Sequence, residues 1–448
     1  MKQADLIKKY NVAAPRYTSY PPVPNWETET FTEDIWLNSV KISYQESLNA
    51  GLSLYIHLPF CENLCTYCGC NTRITKNHQV EKPYIEAVLK EWTMYVKLLG
   101  GKPLIADIHL GGGTPTFFSP ENLELLISGI LSQAEIKEEA EFSFEAHPAN
   151  TTEAHLRTLY QLGFKRLSLG IQDFDPVVQE IINRKQSVEQ VEFVTRTARE
   201  IGYTSINYDL IYGLPLQTLI SVQNTVAEVI RLQPDRIAYY SYAHVPWVKP
   251  GQRKFTELDL PADDKKRALY NTGSELLFNA GYVDIGMDHF ALRTDSLHQA
   301  AKSGTLHRNF MGYTEQPSQL LIGLGVSSIS DSLYAFAQNS KTVEQYLKDI
   351  SENRFSIAKG HKLTARDLRI RQQILHVMCG HTANLNALEP LTESTKDALE
   401  LLKDDALISI SDGILSVNEI GRPFLRNICM ALDERLQQQP SQLFSTVA

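Results

Sequence analysis

The chain has 448 residues, of which 43% are hydrophobic, and its formal net charge at pH 7 is −9. This length can bury at least one large core and suggests two or three domains. The acidic balance disfavours non-specific binding to DNA, RNA or anionic lipid, so any anionic substrate must meet a local patch of basic residues.

Residues 1–50 are predicted to form an N-terminal arm. The arm begins with "MKQADLIKKYNVAAPRYTSYPP", which lacks the continuous apolar core and the cleavage site of a secretory signal. The longest weakly polar run in the chain, "LLIGLGVSSIS" at 320–330, is far shorter than the roughly 20 residues that cross a bilayer. We therefore expect a cytoplasmic protein without a membrane span.

Residues 51–360 are predicted to form an α/β domain in which strands alternate with helices. Short apolar and β-branched runs are separated by longer, charge-rich amphipathic stretches, which is typical of a parallel sheet with helical crossovers. The six predicted strands cover 52–58, 105–110, 141–146, 166–171, 206–212 and 236–242. Because no GxGxxG motif follows the first strand, the pattern predicts a partial (β/α)6 barrel and not a Rossmann sheet.

Polar and small residues recur where these predicted strands end. Active sites of (β/α) barrels lie at the C-terminal ends of the strands, so this coincidence predicts a site at that face. In chain order the residues are the four cysteines of "CENLCTYCGC" (61–70), the "GGGTP" of 111–115, Glu145, Gln172, Asp209 and Ala243.

The cysteine cluster after the first strand allows three interpretations. A four-thiolate zinc site usually needs a second pair of cysteines a dozen or more residues away, and no such pair follows. A dithiol redox pair would leave Cys61 and Cys70 unexplained. Cys61, Cys65 and Cys68 form CxxxCxxC, which suits three corners of a [4Fe–4S] cluster and leaves the fourth iron open. Cys70 is then an accessory thiol of unknown role.

The alternation of strands and helices weakens after about residue 250. The segments "GYVDIGMDHFAL", "LHRNFMGYT" and "LIGLGVSSIS" are expected to close one side of the barrel, in an order that their pattern does not give. Residues 361–448 are predicted to form a small, mostly helical, winged-helix-like domain. It has a helix over 363–380, a hairpin turning at Asp412–Gly413 and a helix over 421–439. Its acidic surroundings favour a packing lid over DNA binding.

The CxxxCxxC motif, with the aromatic Tyr67 before its last cysteine, resembles that of the radical S-adenosylmethionine (SAM) superfamily. Longer motifs resemble the oxygen-independent coproporphyrinogen III oxidases within it, and this resemblance covers nearly the whole chain. Among these motifs are "PRYTSYPP" (15–22), "LYIHLPFCENLCTYCGCN" (54–71), "LGGGTPT" (110–116), "DLIYGLP" (209–215) and "LHRNFMGYT" (306–314).

The resemblance implies an oxidoreductase of anaerobic haem biosynthesis. Such an enzyme would use a [4Fe–4S] cluster and SAM, with two SAM molecules in one pocket, to convert two propionates of coproporphyrinogen III to vinyls and give protoporphyrinogen IX. An electron donor and an electron acceptor, which the residues do not identify, are implied as partners, and we expect a monomer. The alternative is a haem-binding or haem-delivering relative without decarboxylase activity.

The resemblance also implies the cofactor-binding residues. Glu145 can pair with an ammonium group and Arg184 with a carboxylate, while Gln172 and Asp209 can bond ribose hydroxyls and Ala243 leaves room for adenine. The full set of positions that match SAM contacts of the family is Tyr55, Tyr67, Gly112, Gly113, Thr114, Glu145, Gln172, Arg184, Asp209, Ala243 and Ile329, beside the cluster ligands Cys61, Cys65 and Cys68.

A substrate with four carboxylates needs cationic partners in an acidic protein. The candidates are Arg16, Arg184, Arg293 and Arg308. His57, His109, His289 and His307 could orient the substrate, but histidines beside apolar strands are mostly packed, so no catalytic role is assigned to them.

Overall fold

Two helices form the N-terminal arm, α1 (Gln3–Tyr10) and α2 (Glu33–Glu46). The computed structural model describes residues 3–247, 249–315 and 318–438, so the first two residues of the predicted arm and the last ten of the predicted C-terminal domain lie outside the described residues. Helix α2 begins after Thr32, whose side chain accepts a hydrogen bond from the Ile35 amide and so satisfies one of the free amides of the first turn.

The six strands predicted from the sequence form the parallel core of one sheet. The first eight strands are β1 (Leu52–Leu58), β2 (Phe60–Cys61), β3 (Arg73–Ile74), β4 (Leu104–Gly112), β5 (Glu135–Ala146), β6 (Phe164–Gln172), β7 (Ser205–Tyr212) and β8 (Arg236–Ser241). Strands β1, β4, β5, β6, β7 and β8 are neighbours in that order, and every pair is parallel. Six of the seven residues of β1 are buried, as expected for a parallel strand that is covered on both faces.

Helices connect these strands and pack on the outer face of the sheet. They are α3 (Glu81–Leu99), α4 (Pro120–Leu131), α5 (Glu153–Gln161), α6 (Pro176–Ile181), α7 (Val188–Ile201) and α8 (Leu219–Leu232). Their boundaries follow local chemistry. Helix α7 begins with a capping box between Ser187 and Gln190 and ends at Gly202, whose φ of 115° suits glycine.

Strands from the segments beyond residue 250 extend the sheet at both of its edges. The sequence pattern predicts, by contrast, that these segments close only one side of the barrel. The elements are α9 (Asp263–Asn279), β9 (Tyr282–Gly286), β10 (His289–Leu292), α10 (Ser296–Ser303), β11 (His307–Asn309), β12 (Gly312–Thr314), β13 (Leu321–Leu324), β14 (Ile329–Asp331), β15 (Ala335–Asn339), α11 (Val343–Ser351) and β16 (Ile357–Lys362). Strand β10 pairs antiparallel with β8, whereas β13 pairs parallel with β1 at the other edge. The resulting sheet has 12 strands.

The C-terminal region contains α12 (Ala365–Gly380), β17 (Thr382–Asn384), α13 (Glu393–Asp404), β18 (Ile408–Ser411), β19 (Ile414–Val417) and α14 (Leu425–Leu432). Asp412 and Gly413 both have positive φ, which fits the predicted hairpin turn. The last helix is shorter than predicted. A 3₁₀ segment over Glu419–Phe424 precedes it, because Pro423 cannot donate the amide that a regular α-helix requires.

The two halves of the arm belong to different hydrophobic cores. Trp36 and Val40 of α2 are buried in the main core with the barrel strands. Leu6 and Tyr10 of α1, and Tyr17 and Tyr20 beyond it, are buried with the C-terminal helices and hairpin. The partial barrel and the small, mostly helical C-terminal domain expected from the sequence are confirmed, with the arm packed across both. Within the part of the chain that is described, none of the helices is both long and apolar enough to cross a membrane.

Candidate active site

A cavity of about 1110 Å³ lies at the C-terminal ends of the barrel strands and extends into the barrel. Twelve of the fourteen residues predicted as cofactor or cluster ligands line it. They are Cys61, Cys65, Tyr67, Cys68, Gly112, Gly113, Thr114, Glu145, Gln172, Arg184, Asp209 and Ala243. The other two, Tyr55 and Ile329, lie outside its lining.

The cysteine loop is held against the segment that follows α6. The Thr66 amide donates to the Ile182 carbonyl at 2.9 Å, and the Thr66 hydroxyl donates to the Ile181 carbonyl at 3.1 Å. The Asn183 side chain donates to the Leu64 carbonyl at 2.8 Å. These bonds pin the middle of the loop, so the thiols on either side of it have a defined position above the cavity.

Each of the three thiols of CxxxCxxC has a polar neighbour. Cys61 Sγ lies 3.3 Å from the Thr114 hydroxyl, and Cys65 Sγ accepts from Arg184 Nη1 at 3.6 Å. Cys68 Sγ accepts from the Cys70 amide at 3.4 Å. A hydrogen bond from the Cys70 thiol is the main cause that lowers the pKa of Cys68 to about 6, whereas burial raises the pKa of Cys61 to about 11.

The donor set fits an iron–sulfur cluster. Three thiolates on one loop can each bind a different iron, and a cluster with three protein ligands keeps one iron open. Among the described residues, no group of three or more His, Cys, Asp or Glu side chains is arranged to hold a single metal ion. The division between Cys70 and the other three cysteines stays a prediction.

The three glycines after β4 are needed for packing as well as for access to the cavity. A Cβ on Gly113 would lie 2.5 Å from the Pro59 carbonyl oxygen, and a Cβ on Gly112 would lie 2.9 Å from the His57 ring. Gly112 also has a φ of 115°, which strains any L-residue. The Gly112 amide donates to Glu145 Oε2 at 3.3 Å. The sequence alone suggested only that these glycines let the backbone approach a ligand, and it did not indicate their role in packing.

Glu145 and His109 line one side of the cavity, with Tyr55 packed behind them. Glu145 Oε1 lies 3.5 Å from His109 Nε2. The Tyr55 ring stacks on the His109 ring with centroids 6.0 Å apart, and the Tyr55 hydroxyl lies 3.0 Å from His57 Nδ1. Tyr55 therefore stands behind Glu145 and does not reach the cavity lining, so its predicted contact with a cofactor remains a prediction.

Farther along the sheet, at β6 and β7, Arg184 and Asp209 are held by neighbouring strands. Arg184 is buried, and its Nε donates to the Gly170 carbonyl at 3.1 Å. Asp209 accepts from the Ser168 hydroxyl at 3.0 Å and from the Asn207 amide at 2.9 Å. Burial, and secondly the charge of Glu145, raise the pKa of Asp209 to about 6.

The structure adds a residue that sequence reasoning missed. The buried Gln252 donates to the Tyr67 carbonyl at 3.4 Å and to the Ala243 carbonyl at 3.2 Å, and its side-chain oxygen accepts from the Val245 amide at 2.6 Å. It therefore ties the cysteine loop to the segment after β8. Its signal in the sequence is weak, because it lies in an irregular stretch without periodicity.

The floor of the barrel, at the N-terminal ends of β6 to β8, holds a second feature that the sequence did not predict. Arg166 bonds Glu141 and Glu315, each at 2.6 Å. Arg236 bonds Asp295 at 2.8 Å and Glu315 at 3.0 Å. We call these five residues the floor network. It neutralises the buried guanidinium group of Arg236 and the partly buried one of Arg166 in the lower part of the cavity.

Besides Tyr55, the predicted residues Ile329, Arg293 and Arg308 lie outside the cavity lining. Ile329 begins β14 and packs beside the cluster of Trp26, Phe336 and Leu363. Arg293, a candidate for substrate binding, is exposed at the end of the β9–β10 hairpin. Sequence position alone did not distinguish these residues from those that the barrel brings together. The assignment of Ile329 to the cofactor stays a prediction.

The fold and the three-cysteine loop define a radical SAM protein, and a family model described as the Radical SAM superfamily matches residues 55–229. The chain is 38% identical to an oxygen-independent coproporphyrinogen III oxidase of Synechocystis sp., with 98% of this chain and 96% of the relative covered. An enzyme of the same description from Escherichia coli is also 38% identical, with coverages of 99% and 97%.

A solved structure extends the match to three dimensions. Coproporphyrinogen III oxidase from Escherichia coli, described as a radical SAM enzyme, superimposes with a TM-score of 0.89 at 35% identity, covering 96% of this chain and 98% of that one. The chain therefore belongs to the family of oxygen-independent coproporphyrinogen III oxidases. Membership implies a [4Fe–4S] cluster and SAM as cofactors.

Proposed function

We propose that this protein converts coproporphyrinogen III to protoporphyrinogen IX without oxygen, by oxidative decarboxylation of two propionate side chains to vinyl groups. The observation that carries the proposal is the position of Cys61, Cys65 and Cys68 on one wall of a large barrel cavity, in a chain whose relatives of that activity match it along nearly its whole length.

Cys61, Cys65 and Cys68 would hold the cluster through their thiolates. When bound, the cluster and SAM together supply a carbon-centred oxidant that takes a hydrogen atom from the substrate. The Thr114 hydroxyl beside Cys61 favours the anionic form of that sulfur, against the larger effect of burial, and the Arg184 guanidinium contacts the sulfur of Cys65. The Cys70 thiol and amide favour the anionic form of Cys68.

Two groups on neighbouring parts of the cavity wall, at β5 and β7, suit the two ends of SAM. Glu145 carries a carboxylate that can receive the ammonium group, and the Gly112 amide holds that carboxylate in place at 3.3 Å. Asp209, held by Ser168 and Asn207, can bond ribose hydroxyls. Gln252 keeps the Ala243 carbonyl and the cysteine loop in a fixed relation, so the space between them is preserved.

The reaction balances with an electron acceptor. Each propionate loses a hydrogen atom from its β-carbon, the bond to the carboxylate carbon breaks, carbon dioxide leaves, and the vinyl double bond forms as one electron departs. A one-electron acceptor must take that electron, and a separate one-electron donor must reduce the cluster. A buried cavity favours this chemistry because it keeps water from the substrate while its bonds are incomplete.

We further propose that two SAM molecules bind at once. Two hydrogen atoms must be removed from each substrate, and a cavity of about 1110 Å³ exceeds the volume of an ordinary single-ligand pocket. Equilibrium dialysis of labelled SAM against the reconstituted protein should give two bound molecules per chain. Saturation at one molecule would overturn this stoichiometry while leaving the proposed reaction intact.

The proposed reaction is tested by its product. The full-length protein, reconstituted with iron and sulfide without oxygen, should form vinyl-bearing product from coproporphyrinogen III only when SAM, a reductant and an electron acceptor are present. Mass spectrometry should show loss of two carbon dioxide units per substrate. Cys379→Ala, a change at a cysteine of α12 outside the cavity lining, is the matched control and should keep activity. Stoichiometric capture of haem without vinyl product would instead favour a haem-binding relative.

A further inference from the structure

Most cations of the cavity already have partners. Arg166 and Arg236 are neutralised by the floor network. Arg184 donates to the Gly170 carbonyl and to Cys65. Lys185 pairs with Glu180 at 2.5 Å, and Lys249 donates to the Cys70 carbonyl at 3.2 Å. A substrate with four carboxylates needs cations that are not already neutralised.

Arg16 and Arg308 meet that need. Arg16 lines the cavity and has one hydrogen bond, from Nη2 to the Ser241 carbonyl at 3.3 Å. Arg308 is 8% exposed, yet its Nε and Nη1 have no hydrogen-bond partner among the described residues. Neither guanidinium group forms a salt bridge with a carboxylate in the described part of the chain, although the charge of Arg16 acts on the carboxylate of Asp288. Arg16 is exposed, whereas the unpaired charge of Arg308 is buried, which is costly and needs a reason.

A chain of aromatic contacts joins the two arginines. The guanidinium carbon of Arg16 lies 5.8 Å from the centroid of the Tyr240 ring, and that of Arg308 lies 4.6 Å from the centroid of Tyr313. The His289 ring lies between these tyrosines, with centroid distances of 5.5 Å to Tyr240 and 5.3 Å to Tyr313. Both tyrosines and His289 line the cavity. We call these five residues the arginine corner.

The aromatic members of the corner do not cancel its positive charge. Burial, followed by the charge of Arg308 and more weakly that of Arg16, lowers the pKa of His289 to about 3. Burial is likewise the main cause that raises the pKa of Tyr240 and Tyr313, so both phenols keep their protons at neutral pH. The net charge of the arginine corner at neutral pH is therefore positive.

We propose that the arginine corner is the site where one propionate carboxylate of the substrate docks, with Arg16 in contact with the carboxylate and Arg308 supplying uncompensated charge from behind the Tyr313 ring. This inference rests on the proposed function for the identity of the ligand. The site itself is defined by Arg16, which lines the cavity, and by Arg308, which lies behind the cavity-lining Tyr313 ring and forms no salt bridge with a described residue.

The test uses the full-length reconstituted protein and two readouts. One is the KM for coproporphyrinogen III, and the other is the Kd of coproporphyrin III, the fluorescent aromatic form of the same tetracarboxylate. Arg16→Gln and Arg308→Gln should each raise both constants about tenfold, since a hydrogen-bonded or closely spaced ion pair is worth about 1.4 kcal/mol or more. An unchanged KM and Kd in either variant would overturn the proposal that the arginine corner binds a propionate carboxylate.

Arg267→Gln is the matched control. Arg267 also places its guanidinium carbon over a tyrosine, 4.9 Å from the Tyr270 centroid, and has an unpartnered buried Nε. Unlike Tyr313 beside Arg308, however, Tyr270 does not line the cavity. Loss of Arg267 should leave both constants within about twofold of the wild type. A tenfold effect in this control would mean that any buried arginine of the region matters, and the proposal would fail.

A conservative variant separates charge from shape. Because Arg308 acts through its charge, Arg308→Lys should stay within about twofold of the wild type, whereas Arg308→Gln should not. A lysine variant as weak as the glutamine variant would overturn this role. The melting temperature gives an independent check, since removing an unpaired buried charge should not lower it. A lower melting temperature with unchanged binding would make Arg308 a structural residue only.

The binding readout separates this inference from the proposed function. Suppose that the wild type forms no vinyl product while Arg16→Gln and Arg308→Gln still weaken coproporphyrin III binding tenfold. That result would refute the proposed reaction but support the arginine corner as the carboxylate site. If vinyl product forms and neither variant changes KM or Kd, the reaction stands and the corner fails.

Discussion

The floor network and the arginine corner use the same side chain in opposite ways. At the floor, Arg166 and Arg236 share Glu315 and each has a further carboxylate, so their charges are neutralised inside the protein. At the corner, neither Arg16 nor Arg308 forms a salt bridge among the residues described, and only the charge of Arg16 acts on a carboxylate, that of Asp288. The barrel therefore contains one pair of arginines whose charges are neutralised by salt bridges and one pair whose charges are not.

This difference separates stability from function. In (β/α) barrels the N-terminal face generally serves stability and the C-terminal face carries the reaction. The floor network follows that rule, because breaking a buried ion pair leaves the remaining charge unpaired. The charges of the arginine corner lie near the C-terminal end of β8, where a bound carboxylate can neutralise them. Four predictions test this division, from the largest expected effect to the smallest.

The largest effect is expected at the cysteine loop, where the functional face is most demanding. Replacing Cys61, Cys65 or Cys68 by Ala should abolish the visible absorption of the reconstituted cluster and all vinyl formation, because each thiolate holds one corner. Cys70→Ala should keep much of the absorption. Iron and sulfide analysis beside the spectrum checks this, and equal iron loss in all four variants would refute the division between Cys70 and the other three.

Mutation of the floor network should lower the stability of the fold. Arg236→Ala removes the shared partner of Asp295 and Glu315, which lie 2.8 and 3.0 Å from it. We expect the free energy of unfolding to fall by about 3–5 kcal/mol, measured by urea denaturation of the full-length protein. A loss below about 1 kcal/mol would show that the floor network does not stabilise the fold.

Asp209, on the functional face of the barrel, should also change how the free energy of unfolding depends on pH. The pKa of Asp209 is raised to about 6 by burial, above the unfolded value of about 3.9, so between these values the folded protein binds more protons than the unfolded chain. The stabilising contribution of the neutral acid is complete below about pH 4 and is lost as the pH rises through 6. Asp209→Asn cannot titrate, so the unfolding free energy of the variant should gain on that of the wild type across this window. Parallel curves would contradict the prediction.

The smallest effect is expected for an ion pair on the outer surface. Arg231 bonds Glu192 at 3.0 Å and Glu228 at 2.8 Å, with about half of its side chain exposed. Solvent screens such pairs, so Arg231→Ala should leave the urea midpoint close to that of the wild type in the same experiment. A loss as large as that of Arg236→Ala would remove the distinction between a surface pair and the floor.

The sequence predicted features that depend on local pattern. All six barrel strands lie where the apolar runs placed them, because a strand buried on both faces has a clear composition. The three thiols of CxxxCxxC share one wall because the chain between them is too short for any other result. The hairpin at Asp412–Gly413 follows from the turn residues themselves.

Features that depend on distant partners could not be predicted. Arg236 and Glu315 are 79 residues apart in the chain, and neither residue carries a local signal of the other. The segments beyond residue 250 have short strands without strong alternation, so nothing in them indicated that β10 and β13 join opposite edges. Arg293 and Arg308 looked equivalent as cations, and only their burial distinguishes them.

The anchoring of the arm has a consequence for how the protein matures. The buried Arg426 of α14 donates hydrogen bonds to the carbonyls of Ala14 and Pro15, and the Tyr17 hydroxyl donates to Asp433 at 3.0 Å. Arg16 lies between these contacts. While the ribosome is still translating the chain, the segment that carries Arg16 has already emerged, but its anchor is made only after more than 400 further residues. The wall that contains Arg16 is therefore complete only once α14 has been synthesised and has packed against the arm.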